Sequence, residues 1–290
     1  MDQPLFDGRE RYEELRRERG FAAVAAGLWH TGRLEGLRLP CVAIVGTRAA
    51  TRYGIRLAHE FASELGAAGC CIVSGLALGI DTAAHEGALS AGAPTVAVLG
   101  SGHRRLFPAR NRSLAERILA GGGAVLSPYS PDHDPFPGQF LARNGIVAAI
   151  SDAVVVIEAP ARSGALNTAG WAAGRIPVLA VPGDVDRKHV AGCLALIRDG
   201  AILARGAGDV LEALGRAAPP SRTADDAASG DGPDSVGARV IRALDAGAIE
   251  LDVLIAAAGA QPAEVLAVLT LLELEGRVER SGASTYARRR

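Results

Sequence analysis

Six short apolar runs rich in β-forming residues recur between residues 41 and 181 and set the expected architecture of most of the chain. They are CVAIV (41–45), CCIVS (70–74), TVAVL (95–99), AVLS (124–127), AVVVIE (153–158) and PVLAV (177–181). None alternates polar with apolar residues, so each predicts a strand that is buried on both faces. Helical stretches between such strands are typical of a parallel sheet that is covered on both sides, which predicts an α/β, doubly wound fold.

Helical spacing is clearest in residues 52–69, where apolar side chains recur at three- and four-residue steps and Gly66 and Gly69 follow. This is one helical stripe with its end signal. A second helix is expected from Asp81, as its cap, through Leu89, and a third over residues 141–150.

The composition changes after residue 215. Residues 216–235 are small and polar, contain Pro and Gly and carry two basic against four acidic side chains, which predicts a flexible linker. Three helical stretches and a glycine-flanked hairpin then predict a winged-helix module. The expected domains are a helical lead-in (1–38), an α/β domain (39–215), the linker (216–235) and the winged helix (236–290).

Charge and cysteine content narrow the function classes. The 290 residues contain 31 Lys and Arg against 32 Asp and Glu, so a site for a polyanion must be locally concentrated. No apolar run approaches the roughly 18 residues of a membrane span, and the first ten residues are too acidic for a signal peptide, so we expect a cytoplasmic protein. The four cysteines have no CxxC spacing, which argues against a disulfide framework or a zinc site.

Ligands of parallel sheets bind at the carboxyl ends of the strands, so the residues after each run are the first candidates. Gly46, Thr47 and Arg48 follow the first run, and they predict an anion site or, alternatively, a tight turn with a surface arginine. Ser74, Gly75 and Gly79 follow the second, in a loop whose N–H groups can face a phosphate.

The glycine loop fits neither GxxxxGK[ST] nor GxGxxG, so we expect no ATP hydrolysis, no dinucleotide and no other cofactor. Asp81 and His85 have a spacing that could hold a metal, but a helix cap and a hydrogen-bonded histidine explain them better, and no metal is expected.

Residues 100–117 are the most positive stretch, with Arg104, Arg105 and Arg110 among five arginines against the single Glu116. They predict phosphate contacts or, alternatively, a solvated junction between a loop and a helix.

Two further segments add candidates. Residues 126–145 bring Phe136, Phe140, Arg143 and Asn144 together, and an aromatic ring beside arginine suits single-stranded nucleic acid unless the rings are buried against the sheet. After the fifth run, a second anion site is expected where a helix opens, at Arg162, Ser163 and Gly164. Glu158 could act as an acid or base, but no partner is spaced to work with it.

The chain resembles the DNA-processing protein A family (DprA, also called Smf) from roughly Leu28 to Leu214. Five ordered segments carry the resemblance: GTR (46–48), SGLALGIDTAAHEGAL (74–89), AVLGSGHRRLFPARN (97–111), F-L-A-RN (140–144), and IEAPARSGALNTA with AVPG (157–183). The resemblance implies an extended Rossmann-like domain that binds single-stranded DNA, forms a homodimer and helps load the recombinase RecA in natural transformation. By position, Arg48 matches the family's phosphate-binding arginine, Phe140 its base-stacking aromatic, and Arg143 and Asn144 the start of its RNR motif.

Three positions depart from the family pattern: Gly145 replaces Arg, Pro128 replaces Glu, and Leu194 replaces Asn. The loss of a cation at residue 145 predicts weaker phosphate contact, or a shift of that contact to the arginines of residues 104–112.

The C-terminal segment also resembles that family's winged-helix domain, yet residues 261–276 contain three glutamates and no cation. A helix of this composition is repelled by duplex DNA, so we expect a protein-contact or autoregulatory role. Arg277, Arg280 and residues 288–290 leave the alternative of a wing that contacts phosphate.

Two other functions compete with a non-enzymatic DNA-binding protein. One is a nucleoside-monophosphate phosphoribohydrolase of the cytokinin-activating type, whose PGGxGTxxE signature is missing here. The other is a nucleotide-sensing module that acts on a partner through the winged helix.

Overall fold

The computed structural model describes residues 20–21, 27–217, 236–247, 249–274, 276–282 and 284–288. The chain divides into two compact units, Met1–Pro219 and Pro220–Arg290. Most of the expected lead-in helix and residues 218–235 of the expected linker lie outside the described residues, so the domain boundaries stay predictions.

The described residues of the first unit form one sheet of eight strands. The strands are β1 (Trp29–Gly32), β2 (Cys41–Val45), β3 (Cys71–Ser74), β4 (Thr95–Val98), β5 (Ala124–Ser127), β6 (Ala153–Val156), β7 (Val178–Ala180) and β8 (Ile202–Leu203). Their order is β1-β5-β4-β3-β2-β6-β7-β8, and every pair is parallel except β1 with β5. The six predicted strands are confirmed, and the edge strands β1 and β8 are additions.

Among the described residues of this unit, seven helices cover the two faces of the sheet. They are α1 (Arg52–Ala67), α2 (Ile80–Ser90), α3 (Arg112–Ala120), α4 (Pro137–Ala149), α5 (Gly164–Ala172), α6 (Ala191–Arg198) and α7 (Ala207–Ala213). Helices α4, α5 and α6 pack on one face, and α1, α2, α3 and α7 pack on the other. Because both faces are covered, β2 to β6 are buried along their whole length, and the predicted doubly wound, Rossmann-like α/β fold is confirmed.

The chain runs outward from β2 through β3 and β4 to β5, and then returns to place β6 on the other side of β2. The strand order therefore reverses between β2 and β6. A crevice opens at such a reversal, at the carboxyl ends of the strands, and the loops that carry the candidate residues leave the sheet at this edge.

In the part of the second unit that the structure describes, there are three helices and a hairpin: α8 (Val236–Asp245), α9 (Leu251–Ala258), α10 (Pro262–Leu274), β9 (Val278–Arg280) and β10 (Tyr286–Arg288). The two strands are antiparallel, and the helices bury a core that includes Val240, Leu254, Val265 and Leu269. The predicted winged helix is confirmed.

No single helix of the described residues is long and apolar enough to cross a membrane. Helices α9 and α10 meet that criterion only as a pair, with a bend of 108° between them.

Candidate functional site

The loop after β2 carries Arg48 to the surface at the carboxyl edge of the sheet. A Cβ on Gly46 would lie 2.4 Å from Ile80 Cγ1, so glycine permits the close contact between this loop and α2. The N–H of Thr47 donates to the carbonyl of Glu158 over 2.7 Å, which fixes the loop against the end of β6. Arg48 itself is exposed, with its guanidinium carbon 5.5 Å from the centroid of the Phe140 ring.

Phe140 projects from α4 into the same edge and is partly buried. Its ring lies over Gly100, where a Cβ would come within 2.7 Å of the ring, and its centroid is 5.6 Å from that of Phe107. Phe107 is 45% exposed. The two rings form an apolar platform beside Arg48. The sequence did not indicate a role for Phe107, because residues 100–117 are dominated by arginines.

Arg143 lies one turn after Phe140 but points into the protein, with only 4% of its surface exposed. Its Nη1 donates to the carbonyl of Val98, and the guanidinium occupies the space that a Cβ on Gly75 would fill. The buried carboxylate of Asp81 attracts it, and Arg48 is close enough to repel it. Arg143 therefore lies buried below the surface that carries Arg48 and Phe140, and we call it the floor of the site.

Burial lowers the pKa of Arg143 to about 10; Asp81 opposes this shift and Arg48 adds to it. Burial raises the pKa of the Asp81 carboxyl above its usual value, although Arg143 and two backbone N–H groups act in the opposite direction. Arg143 stays protonated at neutral pH, so the floor of the site carries a positive charge.

The polar groups of Ser74 and Gly75, in the glycine loop after β3, form hydrogen bonds within the protein. Ser74 Oγ donates to the carbonyl of Ile44 over 2.7 Å, and the N–H of Gly75 donates to Asp81 over 3.0 Å. The helix cap is Gly79, with φ of +81°, whereas Asp81 lies in the first turn of α2. The prediction that Asp81 caps this helix is wrong, because its carboxylate reaches back to the N–H groups of Gly75 and Ala77 in the preceding loop.

Acidic side chains of another loop face two of the candidate arginines. Arg104 Nη1 is 2.8 Å from Asp132 Oδ2, and Arg105 Nε is 3.7 Å from Asp134 Oδ1. All four side chains are more than half exposed. Arg110 is also exposed, at the start of the turn that leads into α3.

The helix start predicted after β6 is present. Ser163 caps α5 by accepting from the N–H of Ala165 over 3.3 Å, and Arg162 and Gly164 beside it are exposed. Asn144 joins α4 to this helix, because its Nδ2 donates to the carbonyl of Gly164 over 3.1 Å. Asn144 is 9% exposed, so it connects the two elements from within.

Glu158 is buried and anchors the start of α1. Its carboxylate accepts from the N–H of Thr51 over 2.9 Å and from the Thr51 hydroxyl, and His189 Nε2 lies 3.8 Å away. A Cβ on Gly54 would lie 2.3 Å from the carboxylate carbon. The Glu158 carboxylate therefore occupies the N-terminus of α1, beside the strand-order reversal, where an anionic ligand would otherwise bind.

His85 has a structural partner. Thr95 Oγ1 donates to the carbonyl of Ile72 and lies 2.7 Å from His85 Nδ1, so the ring donates from Nδ1. Burial lowers the pKa of His85 to about 3, so it is neutral at physiological pH. Within the described residues, no three His, Cys, Asp or Glu side chains are grouped so that they could hold a metal ion.

Comparisons with known proteins match this chain along most of its length. Residues 6–215 match the family described as DNA recombination-mediator protein A, and residues 216–283 match the DprA winged helix domain. A protein of Mycobacterium tuberculosis is 41% identical over 260 residues, which are 87% of this chain and 66% of that protein. The Smf protein of Synechocystis is 42% identical over 193 residues, which are 65% of this chain and 48% of the relative. The chain thus spans about two thirds of the first relative and about half of the second.

Two solved structures are similar. The DNA processing protein A of Streptococcus pneumoniae has a TM-score of 0.61 at 39% identity, over 65% of this chain and 66% of that one. The Helicobacter pylori protein, described with a single-stranded DNA binding mode, has a TM-score of 0.59 at 32% identity, over 66% of this chain and 87% of that one.

The five ordered motifs lie in the α/β unit, and the three helices with a wing follow in the second unit. The family match takes in well over half of the 290 residues. This chain therefore belongs to the DNA recombination-mediator protein A family, the DprA and Smf proteins, whose members are DNA-processing proteins.

Proposed function

We propose that this chain binds single-stranded DNA, with little sequence preference, at the carboxyl edge of its sheet. The observation that carries the proposal is the exposed guanidinium of Arg48, held 5.5 Å from the centroid of the Phe140 ring. A cation beside an aromatic platform suits an unpaired strand, because the cation neutralises phosphate while the rings stack on bases.

The candidate residues take two kinds of role in this proposal. Arg48, Phe140 and Phe107 contact the DNA directly, and exposed groups together with the partly buried Ser163 extend the contact on either side: Arg104, Arg105, Arg110, Arg162 and Gly164. The buried groups hold the site in shape, because their polar atoms bond to the protein: Ser74, Gly75, Arg143 and Asn144. Gly46, Thr47 and Gly79 fix the loop that carries Arg48.

The structure of the Helicobacter pylori relative, described with a single-stranded DNA binding mode, supports the ligand class. Family membership supports a wider proposal: a cytoplasmic homodimer that protects incoming DNA and helps load the recombinase RecA during transformation. The homodimer and the recombinase partner are inferred from the family alone.

We also propose that binding is the whole function and that no bond is broken. Glu158 is a buried carboxylate just after β6, beside the strand-order reversal, and its oxygens accept from Thr51. A phosphoribohydrolase needs a carboxylate that is available to the sugar, so this arrangement disfavours the enzymatic alternative. Incubation with AMP tests it: we expect no free adenine, and release of the base would establish the enzyme.

The proposed function is tested by titrating fluorescent oligo-dT with the protein at several salt concentrations. We expect saturable binding that weakens as salt increases, because phosphate neutralisation releases counterions. An equally long duplex is expected to bind more weakly, since its bases are already stacked. No binding at low salt, or a thermal shift with mononucleotides but none with oligo-dT, would contradict the proposal and favour a nucleotide sensor.

A further inference from the structure

Helix α10 of the winged-helix unit has a composition that does not suit contact with DNA. Residues 243–276, which include α9 and α10, contain six Asp or Glu residues and no Lys or Arg. A helix that enters a groove of DNA requires cations for the phosphates and hydrogen-bonding side chains for the bases. The outward face of α10 must therefore serve another contact or none.

The buried and exposed positions of α10 divide cleanly between two sides. Val265, Leu269 and Leu272 face the core of the unit. At 3.6 residues per turn, residues 263–271 place small residues along the centre of the opposite side: Ala263, Ala267 and Thr270. Leu266 and Leu271 flank this line on its two sides, and Glu264 and Glu273 lie beyond them.

The two flanking leucines are unusually exposed for a helix that also supplies core residues. Leu266 is 40% exposed and Leu271 is 58% exposed. Small residues between two such side chains let another backbone approach closely, as in packed helix pairs. We call Ala263, Leu266, Ala267, Thr270 and Leu271 the outer face of α10.

The charges at the margin of the outer face indicate which occupant fits. Within the described residues, Glu264 and Glu273 have no ion-pair partner, whereas Asp245 is paired with Arg288 at 2.6 Å. Two unneutralised glutamates disfavour duplex DNA, an anionic membrane and the same face of a second copy, because each of these brings like charge. A helix with an apolar stripe between Lys or Arg side chains would satisfy both the leucines and the glutamates.

We propose that the outer face of α10 is a docking site for an amphipathic helix of a partner protein, with leucine-like anchors flanked by basic residues. The winged helix then acts as a protein-recruiting module rather than as a second DNA-binding module. This inference does not depend on the site at the edge of the sheet.

The test measures binding of two synthetic helical peptides to the full chain by fluorescence anisotropy. One peptide has leucines on one face and lysines elsewhere, and the other has glutamates in place of the lysines. We expect the lysine peptide to bind saturably and the glutamate peptide to bind at least tenfold more weakly. Leu266→Ser with Leu271→Ser should weaken the lysine peptide at least tenfold, since two apolar anchors are lost.

A charge-swap variant keeps the proposal falsifiable if the serine variant loses its fold. Glu264→Lys with Glu273→Lys leaves the leucines in place and should make the glutamate peptide the tighter ligand. Equal binding of the lysine peptide to the wild-type and both double variants, or no binding to the wild type, would overturn the proposal. Leucine-dependent binding of duplex DNA or of phosphatidylserine vesicles would also overturn it.

Discussion

Arg48 and Arg143 are both arginines at the carboxyl edge of one sheet, yet their surroundings differ completely. Arg48 is exposed beside a ring, whereas Arg143 is buried between Asp81 and the carbonyl of Val98. Sequence motifs identify both positions but not this difference, because exposure depends on how α4 is rotated against the sheet. The two arginines should therefore fail in different ways when they are replaced.

Arg143→Ala should destabilise the fold, and any loss of DNA binding should follow from that loss of stability. The substitution removes the positive charge that favours the buried Asp81 carboxylate and leaves the Val98 carbonyl without its donor, which should cost about 1–3 kcal/mol in the free energy of unfolding. Urea denaturation measures this loss. In the double variant Asp81→Asn with Arg143→Met the loss should be smaller, because no lone charge remains. A fully stable Arg143→Ala protein that no longer binds oligo-dT would instead identify Arg143 as a direct DNA ligand.

Phe140→Leu should weaken the binding of oligo-dT while leaving its salt dependence unchanged. Stacking of a base on an aromatic ring contributes about 1–3 kcal/mol, which corresponds to roughly 5- to 150-fold in affinity. Phe140→Trp preserves an aromatic surface and serves as the control. If the leucine variant binds as tightly as the wild type, the ring is not a stacking platform.

His85 should make the fold less stable in acid. Its pKa is about 3 in the folded chain, below the value of about 6.5 of a free histidine, so the unfolded chain takes up the proton first as pH falls. Between pH 7 and pH 4 this difference should cost about 3 kcal/mol in the free energy of unfolding. The loss should be absent in His85→Gln. Equal acid sensitivity of the two proteins in urea denaturation would contradict the neutral, buried ring.

The main elements could be predicted from the sequence because the strands are buried on both faces and read as uninterrupted apolar runs. Strands β2 and β5 have the predicted bounds. Strands β1 and β8 were missed because they are short edge strands with partly exposed side chains. The contact between the loops after β4 and β5 could not be predicted either, since nothing in the local sequence indicates which acidic side chains pair with Arg104 and Arg105.

Those two loops are joined by backbone contacts as well as by charge. The N–H of Gly102 donates to the carbonyl of His133 over 2.9 Å, and the N–H of Arg104 donates to that of Pro131 over 3.0 Å. Asp132 and Asp134 are therefore held opposite the arginines, in positions where they would compete with phosphate.

Asp132→Asn with Asp134→Asn should raise the affinity for oligo-dT several-fold and steepen its salt dependence. Each exposed ion pair contributes at most about 1 kcal/mol, so little stability should be lost. The matched control is Asp184→Asn with Asp186→Asn, which removes the same charge from exposed residues of another loop. An unchanged affinity, or an equal gain in the control, would mean that Arg104 and Arg105 do not contact the DNA.

At the scale of the whole molecule, a formal charge of -1 gives no general attraction to DNA. Binding to a polyanion must then depend on a few cations in one place, so removing one of them should have a large effect that removal elsewhere does not. The sequence anticipates this concentration of charge at the strand ends. Its details depend on the strand-order reversal, which brings the loops after β2 and β6 to one crevice.

The most direct test of this account compares two exposed arginines in oligo-dT titrations over a salt series. Arg48 lies at the proposed site, whereas Arg117 lies in the last turn of α3, 55% exposed and 3.4 Å from Glu86. Arg48→Ala should lower the affinity about tenfold or more and reduce the slope of log K against log[salt] by about 0.7, the value for one phosphate contact on a single strand. Arg117→Ala should change neither quantity. Equal effects of the two substitutions, or no effect of Arg48→Ala, would contradict a DNA site at the carboxyl edge of the sheet.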